Sequence, residues 1–243
     1  MKAMIFAAGL GTRLKPITDT MPKALVPVCG KPLLYHTICK LRDSGYDDIV
    51  VNVHHFPEQI RQYLQENDFG VKISISDESE QLLETGGGIL KAKDLLTSAT
   101  PFLVHNVDIV SNIDPKKIHV QPGDLATLVV SARDTRRYLL FDDAMRLVGW
   151  TDTSTGEVRS PYPGLDPASC RKYAFSGIHC ISPAVFDAMP ALGFTGRFPI
   201  MDFYLKACAT YPIRGYLAED LKMVDVGKID TLPEAERICS TLL

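Results

Sequence analysis

The stretch Ala7–Lys23, AAGLGTRLKPITDTMPK, decides how this chain is read. It follows the short apolar run Lys2–Ala7, a buried strand, and it combines two glycines with three cations, Arg13, Lys15 and Lys23. A dinucleotide fold would need G-x-G-x-x-G here and an acid about 20 residues later. Gly9 and Gly11 are present, but Leu14 takes the third glycine's place and the next strand ends in Asn52, Val53 and His54. A Walker loop, G-x-x-x-x-G-K-[ST], is absent. A plain glycine turn with solvated charges is the remaining alternative. Glycines admit phosphate oxygens close to backbone N–H groups, and the Thr12 hydroxyl adds a donor. Arg13 supplies a planar fork, Lys23 a point charge, and Pro16 and Pro22 stiffen the segment between. The composition of the loop suits a nucleoside triphosphate.

Working outward, strands and helices alternate. A helix is expected over Lys31–Ser44, where Leu34, Ile38 and Leu41 recur at helical spacing and Gly45 stops it. Asp48–Val53 reads as a strand, Pro57–Glu66 as a helix opened by proline, and Val71–Ser76 as a half-exposed strand. An ETGGG loop, the helix Ile89–Leu96 and the buried strand Pro101–Asn106 follow. This alternation predicts an α/β, Rossmann-like, mostly parallel sheet with helices on both faces. Ligands of such sheets bind at the carboxyl ends of the strands. The loops after Ala7, Ser76 and Asn106 all leave such ends, so one shared site is expected. Past residue 125 the pattern changes to a smaller mixed lobe. Short strands are expected at Thr127–Ala132, Tyr138–Phe141, Arg146–Gly149 and Tyr173–Ile181, with the polar stretch Thr151–Ser169 as a mobile loop. Helices at Met201–Thr210 and Thr231–Leu242 flank a strand at Leu221–Val226. Residues 1–125 are expected to form the part that holds the triphosphate, and 126–243 a second lobe with the C-terminal helix, within one domain.

The 243 residues are 46% hydrophobic and 23% charged, ordinary for a soluble globular domain. A net charge of −3 gives no general attraction to nucleic acid or an anionic membrane. No apolar run approaches the roughly 18 residues that span a bilayer. The six cysteines form no CxxC pair and no signal-peptide pattern is visible, so a cytoplasmic protein with reduced thiols is expected. No obligate protein partner is indicated.

Two acids end apolar runs, Asp108 and Asp225. Either alone reads as a strand-end cap; beside a triphosphate loop the two make sense as ligands of magnesium (Mg2+), which prefers one or two carboxylates plus substrate phosphates.

The whole pattern GxGTRLxPxTxxxPK after KAMIxAAG resembles the sugar-1-phosphate nucleotidyltransferases. The resemblance continues through PVCGKPLL (27–34), LLETGGGI (82–89), HNVDI (105–109), FSGIH (175–179) and VDVGKID (224–230). Within the family, LETGGG, FSGI and the short length look most like the uridylyltransferases of N-acetylmuramic acid 1-phosphate, which serve peptidoglycan recycling. Mannose- and heptose-1-phosphate guanylyltransferases are the nearest rivals. The resemblance implies that Asp108 and Asp225 hold Mg2+, that Glu78 and the Gly86–Gly87 backbone lie near the base, and that Asn106 lies near the sugar. Glu84 and Gly177 are weaker candidates for the sugar side.

The implied reaction joins a sugar 1-phosphate to the α-phosphorus of a nucleoside triphosphate, with UTP expected, and releases pyrophosphate. The nucleophile is already an anion, so positioning and charge neutralisation by Arg13, Lys23 and the metal carry the catalysis. Val107 departs from the family, which usually has glycine between the Asn and Asp, and the EKP motif of the thymidylyltransferases is absent. A cytidylyltransferase of phosphocholine or a polyol phosphate, or a non-catalytic nucleotide-sugar sensor, would share much of the pattern. His54 and His55, adjacent at a strand end, point to opposite sides and are not expected to bind metal. His105, His179 and Trp150 are expected to pack.

Overall fold

The computed structural model describes residues 1–242. Ala3, Met4 and Ile5 are fully buried, and their strand, Lys2–Phe6, lies in the interior of the sheet. It pairs in parallel with Asp48–Val53 on one edge and with Phe102–Asn106 on the other, and Lys72–Asp77 lies beyond Asp48–Val53. Strands buried on both faces read as nearly unbroken apolar runs, as KAMIF, DIVVNV and FLVHN do. Alternate residues face opposite layers. Ala3, Ile5, Ile49 and Val51 join one core with Leu34, Ile38 and Leu41 of the helix Leu33–Asp43. Met4, Val50 and Val104 join a second core with Ile89, Phe203 and Tyr204. Each fully buried Leu or Ile contributes roughly 1.5–3 kcal/mol.

The chain moves outward from Lys2–Phe6 to Asp48–Val53 and Lys72–Asp77, then returns to the other side at Phe102–Asn106. That reversal opens a crevice at the carboxyl ends of Lys2–Phe6 and Phe102–Asn106. The remaining strands extend the same sheet. Arg171–Ile181 pairs antiparallel with Phe102–Asn106, with Ala126–Ser131 and with Arg137–Phe141. Leu147–Asp152 and Glu157–Arg159 continue one end, and Ile213–Leu217 lies parallel to Ala126–Ser131. One ten-stranded sheet therefore runs through both halves.

Two expectations need correction. The polar stretch after Thr151 is not one loop: Trp150 and Thr151 pair with Arg159 and Val158 in a hairpin, and Asp152 Oδ1 closes its turn by accepting from the Ser154 amide at 2.9 Å. The ETGGG segment is not a loop either. Glu84–Lys91 is a helix, held against the chain around Phe198. Sequence periodicity also gave no sign of the strand Ile109–Ser111, which pairs antiparallel with Met223–Asp225, or of the helix Val185–Ala191. All six cysteines are free thiols, and none of the described helices is long and apolar enough to cross a membrane.

Candidate active site

A cavity of about 210 Å3 occupies the crevice, lined by Phe6–Gly9, Lys23, Asn52, Glu78, Leu82, Glu84, Thr85 and Asn106–Asp108. The register explains the convergence, because Phe6 stands between Asn52 and Asn106 on the neighbouring strands. Three loops read separately from the sequence thus meet at one place.

The loop after Ala8 is shaped by its own backbone. Gly11 adopts φ +64°, and a Cβ there would lie 2.8 Å from Thr18 Cγ2 and 3.1 Å from Lys23 Cβ. Only glycine lets the two arms of the loop close this tightly. The Gly11 carbonyl accepts from Thr18 Oγ1 and from the Leu14 amide, both at 2.8 Å. Lys23 is thereby delivered to the cavity, where its ammonium pairs with Asp108. Thr12 and Arg13 stay exposed, and Gly9 has open space around its Cα.

Asp108 and Asp225 are brought together by the short ladder of Ile109–Ser111 with Met223–Asp225, closed by the Val226 amide donating to the Asp108 carbonyl at 2.8 Å. Asp225 presents its edge to solvent, yet the protein atoms packed about it limit its hydration. That packing, and the negative charge of Asp108, push the Asp225 carboxyl above the usual carboxylate range, against the pull of Lys23 and Arg13. Arg13 reaches the same spot: a Cβ on Gly227 would lie 2.7 Å from Asp225 Oδ1 and 2.8 Å from Arg13 Nη2. Two carboxylates and two cations therefore share the rim of the crevice.

Asn106 borders the cavity, and Gly177 backs it. Gly177 adopts φ +77°, and a Cβ there would approach Asn106 Nδ2 to 2.7 Å. Its register shift against Ala126–Ser131, between Phe175 and His179, marks the bulge that lets it do so. Val107, the departure from the family pattern, is 4% exposed and packs into the core.

Other expected site residues lie differently. Gly86 and Gly87 are not in the cavity wall. Both amides donate to the Phe198 carbonyl, at 2.9 and 3.1 Å, and added Cβ atoms would strike the Phe198 ring at 2.3 Å and the Gly196 oxygen at 2.2 Å. These glycines serve close helix packing, which leaves no N–H for a base. Glu84 does line the cavity, with φ +62° and a 2.7 Å ion pair to Arg197. Glu78 lines it as well but is turned inward, 1% exposed, with both oxygens engaged by Asn52 and the Leu83 amide.

His54 and His55 hold backbone: Nδ1 of His54 meets the Glu78 carbonyl at 2.7 Å, and Nε2 of His55 the Thr18 carbonyl at 3.4 Å. Burial pushes His105 down to about 4 and His179 down to about 3, so both are neutral packing groups. Trp150 packs against the second core and under Arg159.

Sequence reasoning missed Asn52, Arg197 and Gly227. A signal existed for Asn52, the one polar side chain within the fully buried run IVVNV, 3% exposed.

Comparison with known proteins agrees with this geometry. The nucleotidyl transferase family model matches residues 2–138. N-acetylmuramate alpha-1-phosphate uridylyltransferase of Caulobacter vibrioides is 33% identical over 231 residues, covering 91% of this chain and 90% of that protein. The protein of the same description from Neisseria meningitidis is 46% identical over 115 residues, 47% of this chain and 49% of its own length. The solved structure of the inositol-1-phosphate CTP transferase from T. maritima superposes with a TM-score of 0.78 at 15% identity, over 99% of this chain and 95% of that one, a likeness of fold. With the triphosphate-type loop, the Lys23–Asp108 pair and the neighbouring Asp225 in one crevice, these matches place the chain in the nucleotidyl transferase family, among the sugar-1-phosphate nucleotidyltransferases.

Proposed function

We propose that this chain transfers the uridylyl group of UTP to N-acetylmuramic acid 1-phosphate, in a Mg2+-dependent reaction that yields the nucleotide sugar and pyrophosphate. The observation that carries the choice of substrates is the 33% identity to the Caulobacter uridylyltransferase along nine-tenths of both chains. The crevice supports the chemistry. A sugar-phosphate oxygen attacks the α-phosphorus in line, a new P–O bond forms, and the bond to the pyrophosphate oxygen breaks with the electron pair leaving on pyrophosphate. No proton has to move. Lys23, on the cavity lining, neutralises charge on the reacting phosphates, and Arg13, exposed beside it, receives the departing pyrophosphate. We assign Asn106, which lines the cavity, and the Gly177 backbone packed behind it to the sugar, on the strength of the family resemblance.

Asp108 and Asp225 fit a hard divalent cation: both are oxygen donors, adjacent, and disfavoured as two bare negative charges. Asp108 and Asp225 would be the protein's ligands, and phosphate oxygens and water would complete the shell, as Mg2+ prefers. The metal when bound supplies Lewis-acid stabilisation of the triphosphate, worth several kcal/mol in such sites. The test is a matrix of four nucleoside triphosphates against a panel of sugar 1-phosphates, read as pyrophosphate release. UTP with N-acetylmuramic acid 1-phosphate should give the highest kcat/KM. A higher value for GTP with a mannose or heptose phosphate overturns the substrate assignment and leaves the metal, Arg13 and Lys23 roles standing.

A further inference from the structure

Asn52 is a buried amide at the end of an apolar strand, and such a group is costly unless every polar atom is bonded. Its bonds run in two directions. Oδ1 accepts from two successive amides, Ala7 at 2.7 Å and Ala8 at 3.3 Å. Backbone N–H groups only donate, which fixes the orientation of the side chain. Nδ2 then donates to Glu78 Oε1 at 2.7 Å, and Glu78 Oε2 accepts from the Leu83 amide at 3.0 Å. One continuous chain of side-chain bonds thus joins the backbone at Ala7–Ala8 to the backbone at Leu83.

Those two backbone segments border the cavity: Ala7 to Gly9 line it from one loop, and Leu82, Glu84 and Thr85, on either side of Leu83, line it from the other. The helix Glu84–Lys91 presses on the chain from behind: a Cβ on Gly88 would lie 2.7 Å from Glu78 Oε1 and 3.3 Å from Asn52 Nδ2. Glu78 has no slack with which to reach a ligand, since any rotation strands a buried partner. We infer that Asn52 and Glu78 act as positioning residues, a buried clasp whose length sets the spacing of the two segments that wall the nucleotide cavity and hence the selection between pyrimidine and purine triphosphates. The inference rests on the reading of this cavity as the nucleotide site, but not on which base is preferred.

The test exchanges the two groups in the full-length enzyme. Asn52→Asp alone sets two carboxylates face to face. Glu78→Gln alone turns an amide N–H2 toward either Asn52 Nδ2 or the Leu83 amide. The double variant restores every bond with the same total charge. The carboxylate now at position 52 accepts from Ala7, Ala8 and the new side-chain amide at position 78, whose own oxygen accepts from Leu83. The measured quantity is the ratio of kcat/KM for UTP to that for GTP, with one accepted sugar 1-phosphate. Each single variant should shift that ratio toward unity by on the order of 10-fold or more, chiefly through KM, as expected for a strained or unsatisfied buried polar pair. The double variant should return it to within about 3-fold of the parent. If the single variants do not fold, the double variant compared with the parent decides alone. Folded single variants with an unchanged ratio overturn the inference. So does a double variant with lost selectivity, which would make the Glu78 carboxylate itself the reader of the base. A parent enzyme that prefers GTP corrects the proposed substrate and leaves this test intact.

Discussion

Two glycine-bearing segments face each other across the crevice, and they use glycine for opposite ends. In Ala7–Lys23, Gly9 stands free, Gly11 bends the loop so that Lys23 reaches Asp108, and Thr12 and Arg13 remain exposed. In Glu84–Lys91 the glycines are buried: the amides of Gly86 and Gly87 are spent on Phe198, and their missing side chains make room for Phe198 and Gly196, while that of Gly88 makes room for Glu78 and Asn52. Glycine marks a place where backbone approaches something closely. In the first segment the space is left for a ligand; in the second it is filled by the protein. The first segment should therefore answer to activity measurements and the second to stability measurements.

The largest effect expected belongs to the open segment and its partners. Arg13→Ala, Lys23→Ala, Asp108→Asn and Asp225→Asn should each lower kcat/KM by about 10³-fold or more, as losses of charge stabilisation in phosphoryl transfer do. Thermal melting should show all four folded. Arg13→Ala should in addition weaken product inhibition by pyrophosphate. An Arg13→Ala enzyme with undiminished pyrophosphate inhibition would break the assignment of this loop to the leaving group.

The contrast between the two segments also explains what the sequence could and could not reveal. Apolar runs such as KAMIF and FLVHN made the parallel strands readable, because burial on both faces leaves a one-dimensional trace. The charged loop was readable from a local trace as well: Arg13 and Lys23 stand beside glycines in one short segment, and the structure brings both cations to the crevice. Gly86 and Gly87 were not, since their partner Phe198 lies more than a hundred positions away and no local pattern announces it. Only the resemblance puts Glu78 near the base; its burial against Asn52, which comes from another strand, leaves no local trace in the sequence. Of the ladder Ile109–Ser111 with Met223–Asp225, the second strand falls within the expected Leu221–Val226, but the first, only three residues long, and the pairing itself were hidden. Yet the juxtaposition of Asp108 and Asp225 depends on it.

A smaller effect, near 3 kcal/mol, is expected from Gly87→Ala, and it should be one of stability. The added Cβ would meet the Gly196 carbonyl oxygen at 2.2 Å, a backbone atom with little freedom to retreat. Overpacking of this kind costs about 1–3 kcal/mol, sometimes more. Gly9→Ala is the matched control, with nothing within 4 Å of its Cβ. Its stability should change by less than about 0.5 kcal/mol, while KM for the triphosphate rises because phosphate oxygens approach that backbone. Chemical denaturation of both variants would sharpen the comparison. Equal destabilisation of the two would erase it.

The smallest effect has an unexpected sign. Packing and the neighbouring Asp108 hold the Asp225 carboxyl above its ordinary value. A raised acid binds its proton more tightly in the folded state than in the unfolded chain, so its contribution to stability is present below the unfolded value, about 4, and is lost as pH rises through the folded one. At neutral pH, ionised Asp225 is therefore a cost to the metal-free fold. Asp225→Asn removes that cost and lets an amide N–H face Asp108. With a chelator present at neutral pH, the variant should melt slightly above the parent. The difference should shrink as pH falls below the carboxylate range, where Asp225 is protonated in both states. Adding Mg2+ with nucleoside triphosphate should reverse the order, raising the melting temperature of the parent more than that of the variant, because only the parent keeps both carboxylate charges for the bound state. A metal-free Asp225→Asn protein that melts below the parent at neutral pH would show that the two aspartates do not strain one another. The open rim of the crevice would then carry no stability cost, and its contrast with the packed glycine helix would rest on activity alone.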